Sequence, residues 1–162
     1  MEGILLRRYG GFYYVESEGQ VWTCSLRGRF RHLETDLYPG DRVTLVPVGE
    51  NEGVIEAVKP RTTFLVRPAI ANIEQAIMVF ALSEPSPDLE LLDRLLLATS
   101  AEGIKAVIVW NKADNADPSY IDLPEIYKRI GYRSFVTSTF NNKGIKKLEK
   151  TLARRISTFA GP

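Results

Sequence analysis

The chain has 162 residues, room for one domain or two small ones. Its 44% hydrophobic and 25% charged content is that of a soluble globular protein, and a net charge of +1 supplies no bulk field for nucleic acid, so any such surface is local. A single cysteine, Cys24, excludes an internal disulfide; with the one histidine, His32, it makes a poor metal site, and neither a leader nor an apolar run near the ~20 residues of a membrane span is visible.

The first third reads as β. Ile4–Arg8, Phe12–Glu16 and Gln20–Leu26 are short β-prone segments separated by Gly10-Gly11 and Glu18-Gly19. Arg42–Val48 and Gly53–Val58 follow, joined by the turn-like Gly49 to Glu52. Five short strands predict a small closed barrel with Leu5, Val15, Val21, Val43, Leu45 and Ile55 inside. The OB-fold is the commonest five-stranded barrel; periodicity alone does not separate it from an SH3-like one. Between the third and fourth strands, Arg27, Arg29 and Arg31 alternate with Phe30 and His32 nearby. In an extended chain this puts three guanidinium groups on one edge, a geometry suited to phosphate. The plain alternative is a solvated loop with Arg27 paired to an acid such as Asp41.

Pro60 to Pro68 reads as extended, and the domain boundary is expected here, dividing residues 1–66 from 67–162. Arg61 and Arg67 either face nucleic acid or pin the two domains together. From Ile70 strands and helices alternate. Gln75–Ala81 is a buried strand, and Asp88 caps a helix carrying Leu91, Leu92, Leu95, Leu96 and Thr99. Ala106–Trp110 is a second buried strand. Ser119–Ile130 is expected to be helical with Pro124 near its first turn. Ser134–Thr137 is a third strand, Lys143–Arg154 a helix, and Arg155–Phe159 a fourth strand. Such alternation implies right-handed crossovers and a parallel sheet in three layers.

The chemistry-bearing stretch closes the second of these strands. Asn111, Lys112 and Asp114, spaced N-K-x-D, stand where open α/β sheets bind ligands, at the strands' carboxyl ends. An ionised carboxylate accepts two donors at once, and guanine offers two adjacent ones, the ring N1–H and the 2-amino group. Adenine lacks both and leaves the carboxylate unpaired. The aliphatic stem of Lys112 is long enough to cover the base while its ammonium stays wet. Thr137-Ser138-Thr139 follows the next strand, close to the expected rim of the same pocket, although Ser/Thr clusters there are commonly turns. No G-x-x-x-x-G-K-[ST] phosphate cradle occurs within the 162 residues. Phe159-Ala160-Gly161-Pro162 reads as a strand end and the first glycine of such a cradle, so Gly161 is the expected start of a phosphate-binding loop.

These residues resemble a known family, the ribosome small-subunit-dependent GTPases of type A, which are circularly permuted. The resemblance rests on Cys24 to Arg31 (C-S-L-R-G-R-F-R), Gly40-Asp41-Arg42-Val43, Gly53-Val54-Ile55-Glu56, Arg67-Pro68 and Asn72. Asp93-Arg94, Asn111-Lys112-Ala113-Asp114, Gly131-Tyr132 and Gly144-Ile145 complete it. It implies a five-stranded OB-fold-like barrel followed by an incomplete circularly permuted P-loop GTPase domain. It also implies GTP hydrolysis in late maturation of the small ribosomal subunit, with the barrel docking on the subunit and its rRNA through Arg27, Arg29 and Arg31. Asn111, Lys112 and Asp114 match the family's guanine motif, and Ser138 its second guanine segment; Thr139 replaces the usual alanine. GTP or GDP with Mg is the implied ligand of the complete protein. The family's switch region and zinc-binding C-terminal domain have no counterpart in these residues. A cytoplasmic monomer with no membrane partner is expected. Because the cradle is missing, the chain alone is expected to be inactive; the alternative is a non-catalytic ribosome- or RNA-binding module.

Overall fold

A computed structural model describes residues 1–28 and 37–162. The chain forms two compact units, Met1–Asn72 and Ile73–Pro162. Residues 67–72 therefore fall with the first unit, whereas the sequence placed the division after residue 66.

In the first unit, β1 (Glu2–Tyr9), β2 (Phe12–Ser17), β3 (Gln20–Leu26), β4 (Arg42–Gly49) and β5 (Glu52–Val58) close into a barrel of order β1-β2-β3-β5-β4. The β1/β4 pair is antiparallel and β3/β5 is parallel. This order is that of the OB barrel and removes the SH3-like alternative. Leu5, Val15, Val43, Leu45 and Ile55 fill the interior, each at most 1% exposed, with Tyr13, Cys24 and Leu37. Val21 is a correction: it was expected inside and is 50% exposed. The side-chain period of two explains the difference, because Trp22, Cys24 and Leu26 point inward on β3 and Val21 has the opposite parity.

The segment read as simply extended contains a hairpin, β6 (Phe64–Val66) with β7 (Ala69–Ala71). It packs beside a polar knot. Asp41 is fully buried; its Oδ1 accepts from Arg61 Nε at 2.7 Å, and its Oδ2 from Arg61 Nη2 at 2.9 Å and the Tyr38 amide at 2.8 Å. The guanidinium lies over both Tyr38 and Phe64, 5.0 and 4.9 Å from their ring centroids. Arg61 thus serves the first unit internally. Arg27 pairs with Glu56, not Asp41. Gly40 occupies a left-handed position (φ 88°), where a Cβ would sit 1.9 Å from the Ala71 carbonyl oxygen. Asn72 ties the ends together: its Nδ2 donates to Gly40 O at 2.9 Å, and its Oδ1 accepts from the Thr62 amide at 2.8 Å.

The second unit is a four-stranded sheet of order β10-β9-β8-β11, all parallel. Its strands are β8 (Gln75–Ala81), β9 (Lys105–Asn111), β10 (Arg133–Val136) and β11 (Ser157–Ala160). Helix α1 (Leu89–Ala101) starts where Asp88 accepts from the Leu91 amide at 2.9 Å. The expected 119–130 helix is divided. A 3-10 turn, Pro118–Tyr120, precedes α2 (Leu123–Arg129), which admits Pro124 in its first turn. Helix α3 (Ile145–Leu152) begins two residues later than expected, after left-handed Gly144 (φ 73°). On one face of the sheet Ile77, Val107 and Val109 pack with Leu148 and Leu152 of α3. On the other, Trp110 meets Tyr127 of α2 at 5.5 Å, and the Tyr127 hydroxyl donates to Asp93 of α1 at 2.8 Å. The result is the three-layer arrangement.

Candidate functional site

The carboxyl ends of β8, β9 and β10 are laced by backbone bonds. Leu82 N–H donates to Asn111 O at 2.8 Å, Thr137 N–H to Trp110 O at 2.8 Å, and Ala113 N–H to Thr137 O at 3.0 Å. Lys112 adopts the left-handed region (φ 58°, ψ 36°), which turns the chain out of β9. A 3-10 turn, Ala113–Asn115, then presents Asp114. A non-glycine residue with positive φ is uncommon, and functional rims are where such strain collects.

Of the guanine-site residues expected from the sequence, Asn111 ends β9, and Lys112, Asp114, Ser138 and Thr139 lie on the two loops of this rim. Asn111 Oδ1 accepts from Thr137 Oγ at 3.2 Å, which braces the side chain. Lys112 is exposed, and its Nζ donates to the Glu84 carbonyl at 2.6 Å, anchoring the far end of the stem. Ser138 is fully buried and its hydroxyl donates to Asp114 Oδ1. That bond fixes the carboxylate plane and uses one acceptor position. Asp114 itself is exposed, and its Oδ2 has no protein partner among the described residues. Thr139 is exposed.

The 138–143 loop is held at both ends. Ser138 N–H donates to Lys143 O at 3.0 Å, and Lys143 N–H to Asn141 Oδ1 at 3.1 Å. A Cβ at Gly144 would lie 2.2 Å from the Val136 carbonyl oxygen, so only glycine lets α3 start this close to β10. Sequence reasoning missed two partners of the rim: the Glu84 carbonyl that holds Lys112, and Thr137 as the brace for Asn111. A backbone carbonyl 28 residues away leaves no signal in the sequence.

Gly161 follows β11 on the same carboxyl rim, with Val79 beside it; a Cβ there would lie 2.2 Å from the Val79 carbonyl oxygen. On this rim Asp114 keeps an open acceptor oxygen and Lys112 an exposed aliphatic stem, so the arrangement is able to accept donors from a planar ligand and to cover its face. Among the described residues no group of three or more His, Cys, Asp or Glu is placed to hold a metal.

Of the expected RNA-contacting residues, Arg27 is exposed and ion-paired with Glu56. Arg29 and Arg31 lie outside the described residues, as do Phe30 and His32. No helix among the described residues is long and apolar enough to cross a membrane.

Residues 2–55 match the RsgA N-terminal domain and residues 58–162 the RsgA GTPase domain. The chain is 65% identical over 162 residues to a small ribosomal subunit biogenesis GTPase RsgA of Moorella thermoacetica, and 41% identical over 164 residues to one of Geobacillus sp.; it spans 56% of each. Among solved structures it is similar to YjeQ from Thermotoga maritima, with a TM-score of 0.85 and 32% identity, covering 99% of this chain and 60% of that one. YloQ, described as a circularly permuted GTPase, matches with a TM-score of 0.81 and 32% identity, covering 99% of this chain and 59% of that one.

Proposed function

The chain belongs to the RsgA GTPase family, and from that premise we propose that it is the barrel and base-reading portion of a GTP hydrolase acting in maturation of the small ribosomal subunit. The observation that carries this reading is Asp114 on the carboxyl rim, oriented through one oxygen by buried Ser138 and open at the other. Guanine presents N1–H and the 2-amino group to that carboxylate. Asn111 holds the loop, Lys112 covers the base, Ser138 orients the Asp114 carboxylate through its hydroxyl, and the backbone at Thr139 faces the base carbonyl. Adenine, with no donor at N1 and no 2-amino group, leaves a charged acceptor unpaired, which costs about 1–3 kcal/mol.

GTP or GDP with Mg is the nucleotide of the complete protein, and zinc belongs to the family's C-terminal domain. Gly161 opens the phosphate loop. The 162 residues alone are not expected to turn over GTP, since phosphoryl transfer depends on a cradle and metal that position and neutralise the phosphates. The barrel meets rRNA of the small subunit through Arg27, Arg29 and Arg31, positioning the protein by phosphate contact. The protein acts as a cytoplasmic monomer.

Calorimetric titration with GDP and ADP tests the base reading. The expected result is GDP binding at least ~10-fold tighter than ADP, a preference removed in Asp114→Ala. Equal affinity for the two nucleotides, or a preference that survives the substitution, overturns it.

A further inference from the structure

The opposite end of the same sheet carries a second feature. Gln75 and Lys105 are register partners at the starts of β8 and β9, and Arg133 opens β10. Strand alternation places Gln75 with Ile77, Lys105 with Val107, and Arg133 with Phe135, all on the face covered by α3. Arg155 arrives from the segment just after that helix. With Tyr132 and Val107 these residues line one pocket of about 310 Å³.

Its floor is rigid. Gln75 is 1% exposed, and its Nε2 donates to Thr151 O at 3.0 Å and to Ser157 Oγ at 2.8 Å. The end of α3 is thereby capped by Gln75 and by the Arg155 amide, which donates to Leu152 O at 3.2 Å. The cations around the pocket are not consumed in that capping. Arg133 has its guanidinium over the Phe135 ring, 5.2 Å from the centroid, which covers one face and leaves the edge N–H groups available.

Lys105, Arg133 and Arg155 form no ion pair among the described residues, and no carboxylate lines the pocket. Arg27, Lys59, Arg61, Arg94, Lys128 and Arg129 are all paired with acids. Three like charges around one hollow repel each other, and a bound anion relieves that repulsion. Guanidinium edges at the mouth select an anion with several oxygens in a tetrahedral or planar array.

We propose that this pocket is a phosphate oxyanion site, filled by the backbone of an RNA strand or by free phosphate, at the sheet end opposite the base-reading rim. It does not depend on the guanine reading, because none of its residues belongs to that rim.

The test is a titration of the isotopically labelled protein with inorganic phosphate and, separately, with a short single-stranded RNA. Backbone signals at 105, 133 and 155 and the side-chain signals of Arg133 and Arg155 are followed. The expected result is saturable shifts at these positions, weakened at least ~10-fold in Lys105→Gln/Arg133→Gln/Arg155→Gln, with the salt slope of RNA binding reduced by about 2 for three lost cations. All three residues are exposed, so the variant is expected to fold; the single variant Lys105→Gln repeats the test with the other two cations kept. RNA displacing phosphate identifies a strand as the source; shifts with phosphate alone identify the free ion. Absence of saturable shifts in both titrations, or shifts that persist in the triple variant, overturns the proposal.

Discussion

Asp41 in the barrel unit and Asp114 on the sheet rim are both held by hydrogen bonds, yet they do opposite things. Asp41 is wholly buried and spends both oxygens on Arg61 and the Tyr38 amide. Asp114 is exposed and spends one oxygen on Ser138. A carboxylate whose acceptors are all answered inside the fold is part of the scaffold. One that is oriented but left with an open oxygen is able to accept a further donor. The same residue type, similarly close to a motif glycine or lysine, is sorted by what remains unpaired and not by its motif.

The sharpest way to break this contrast is to remove each carboxylate. Asp41→Ala leaves a partly buried guanidinium without its counter-charge and is expected to cost the barrel about 3–5 kcal/mol, whereas Asp114→Ala, which takes the acceptor from the buried Ser138 hydroxyl, is expected to cost the second unit about 1 kcal/mol and to leave the barrel unchanged. Urea unfolding monitored by thiol labelling reads the barrel alone, because Cys24 is the chain's one cysteine and is buried there. Burial pushes its thiol up to about 11 from 9.0, so native labelling is slow. The sign of the accompanying pH effect follows. The unfolded chain releases this proton first, so the thiol's contribution to stability is complete below pH 9 and declines as pH rises towards 11.

The next effect is on specificity. Asp114→Asn replaces an acceptor pair with one acceptor and one donor, which suits a purine bearing a 2-carbonyl. Competition between GDP and xanthosine diphosphate is expected to shift towards the xanthine nucleotide by about 10–100-fold, equivalent to about 1–3 kcal/mol. An unchanged preference would place base reading elsewhere. Ser138→Ala, which frees the carboxylate to rotate, is expected to weaken GDP by about 0.5–1.5 kcal/mol while keeping the guanine preference. The smallest effect belongs to Arg27→Ala. Its ion pair with Glu56 is solvent-exposed, so urea unfolding is expected to move by no more than about 1 kcal/mol. Binding to small-subunit rRNA is expected to fall with a shallower salt slope.

The barrel and the parallel sheet were legible in the sequence because each depends on local pattern. Ala106–Trp110 is an apolar run closed by Asn111, Lys112 and Asp114, and that is enough to put these three side chains at a strand's carboxyl end. What stayed hidden was non-local or very short. The β6/β7 hairpin uses strands of three residues, too few for any period to register. Asp41 finds Arg61 across a hairpin, not the nearer-seeming Arg27. Val21 has the hydrophobicity of an interior residue but the wrong parity on β3. The basic pocket joins four positions spread from 75 to 155, and only the parallel register brings the strand starts together.

Asn72 carries one further consequence. Its amide gives a hydrogen to the Gly40 carbonyl and takes one from the Thr62 amide, two opposite demands met by one small group. Hydrolytic ageing of that amide to a carboxylate swaps the donor for a second oxygen, facing a carbonyl at contact distance. The clasp between the hairpin and the barrel then repels where it once held, so a single slow chemical lesion at this position would work as a lifetime limit on the N-terminal unit.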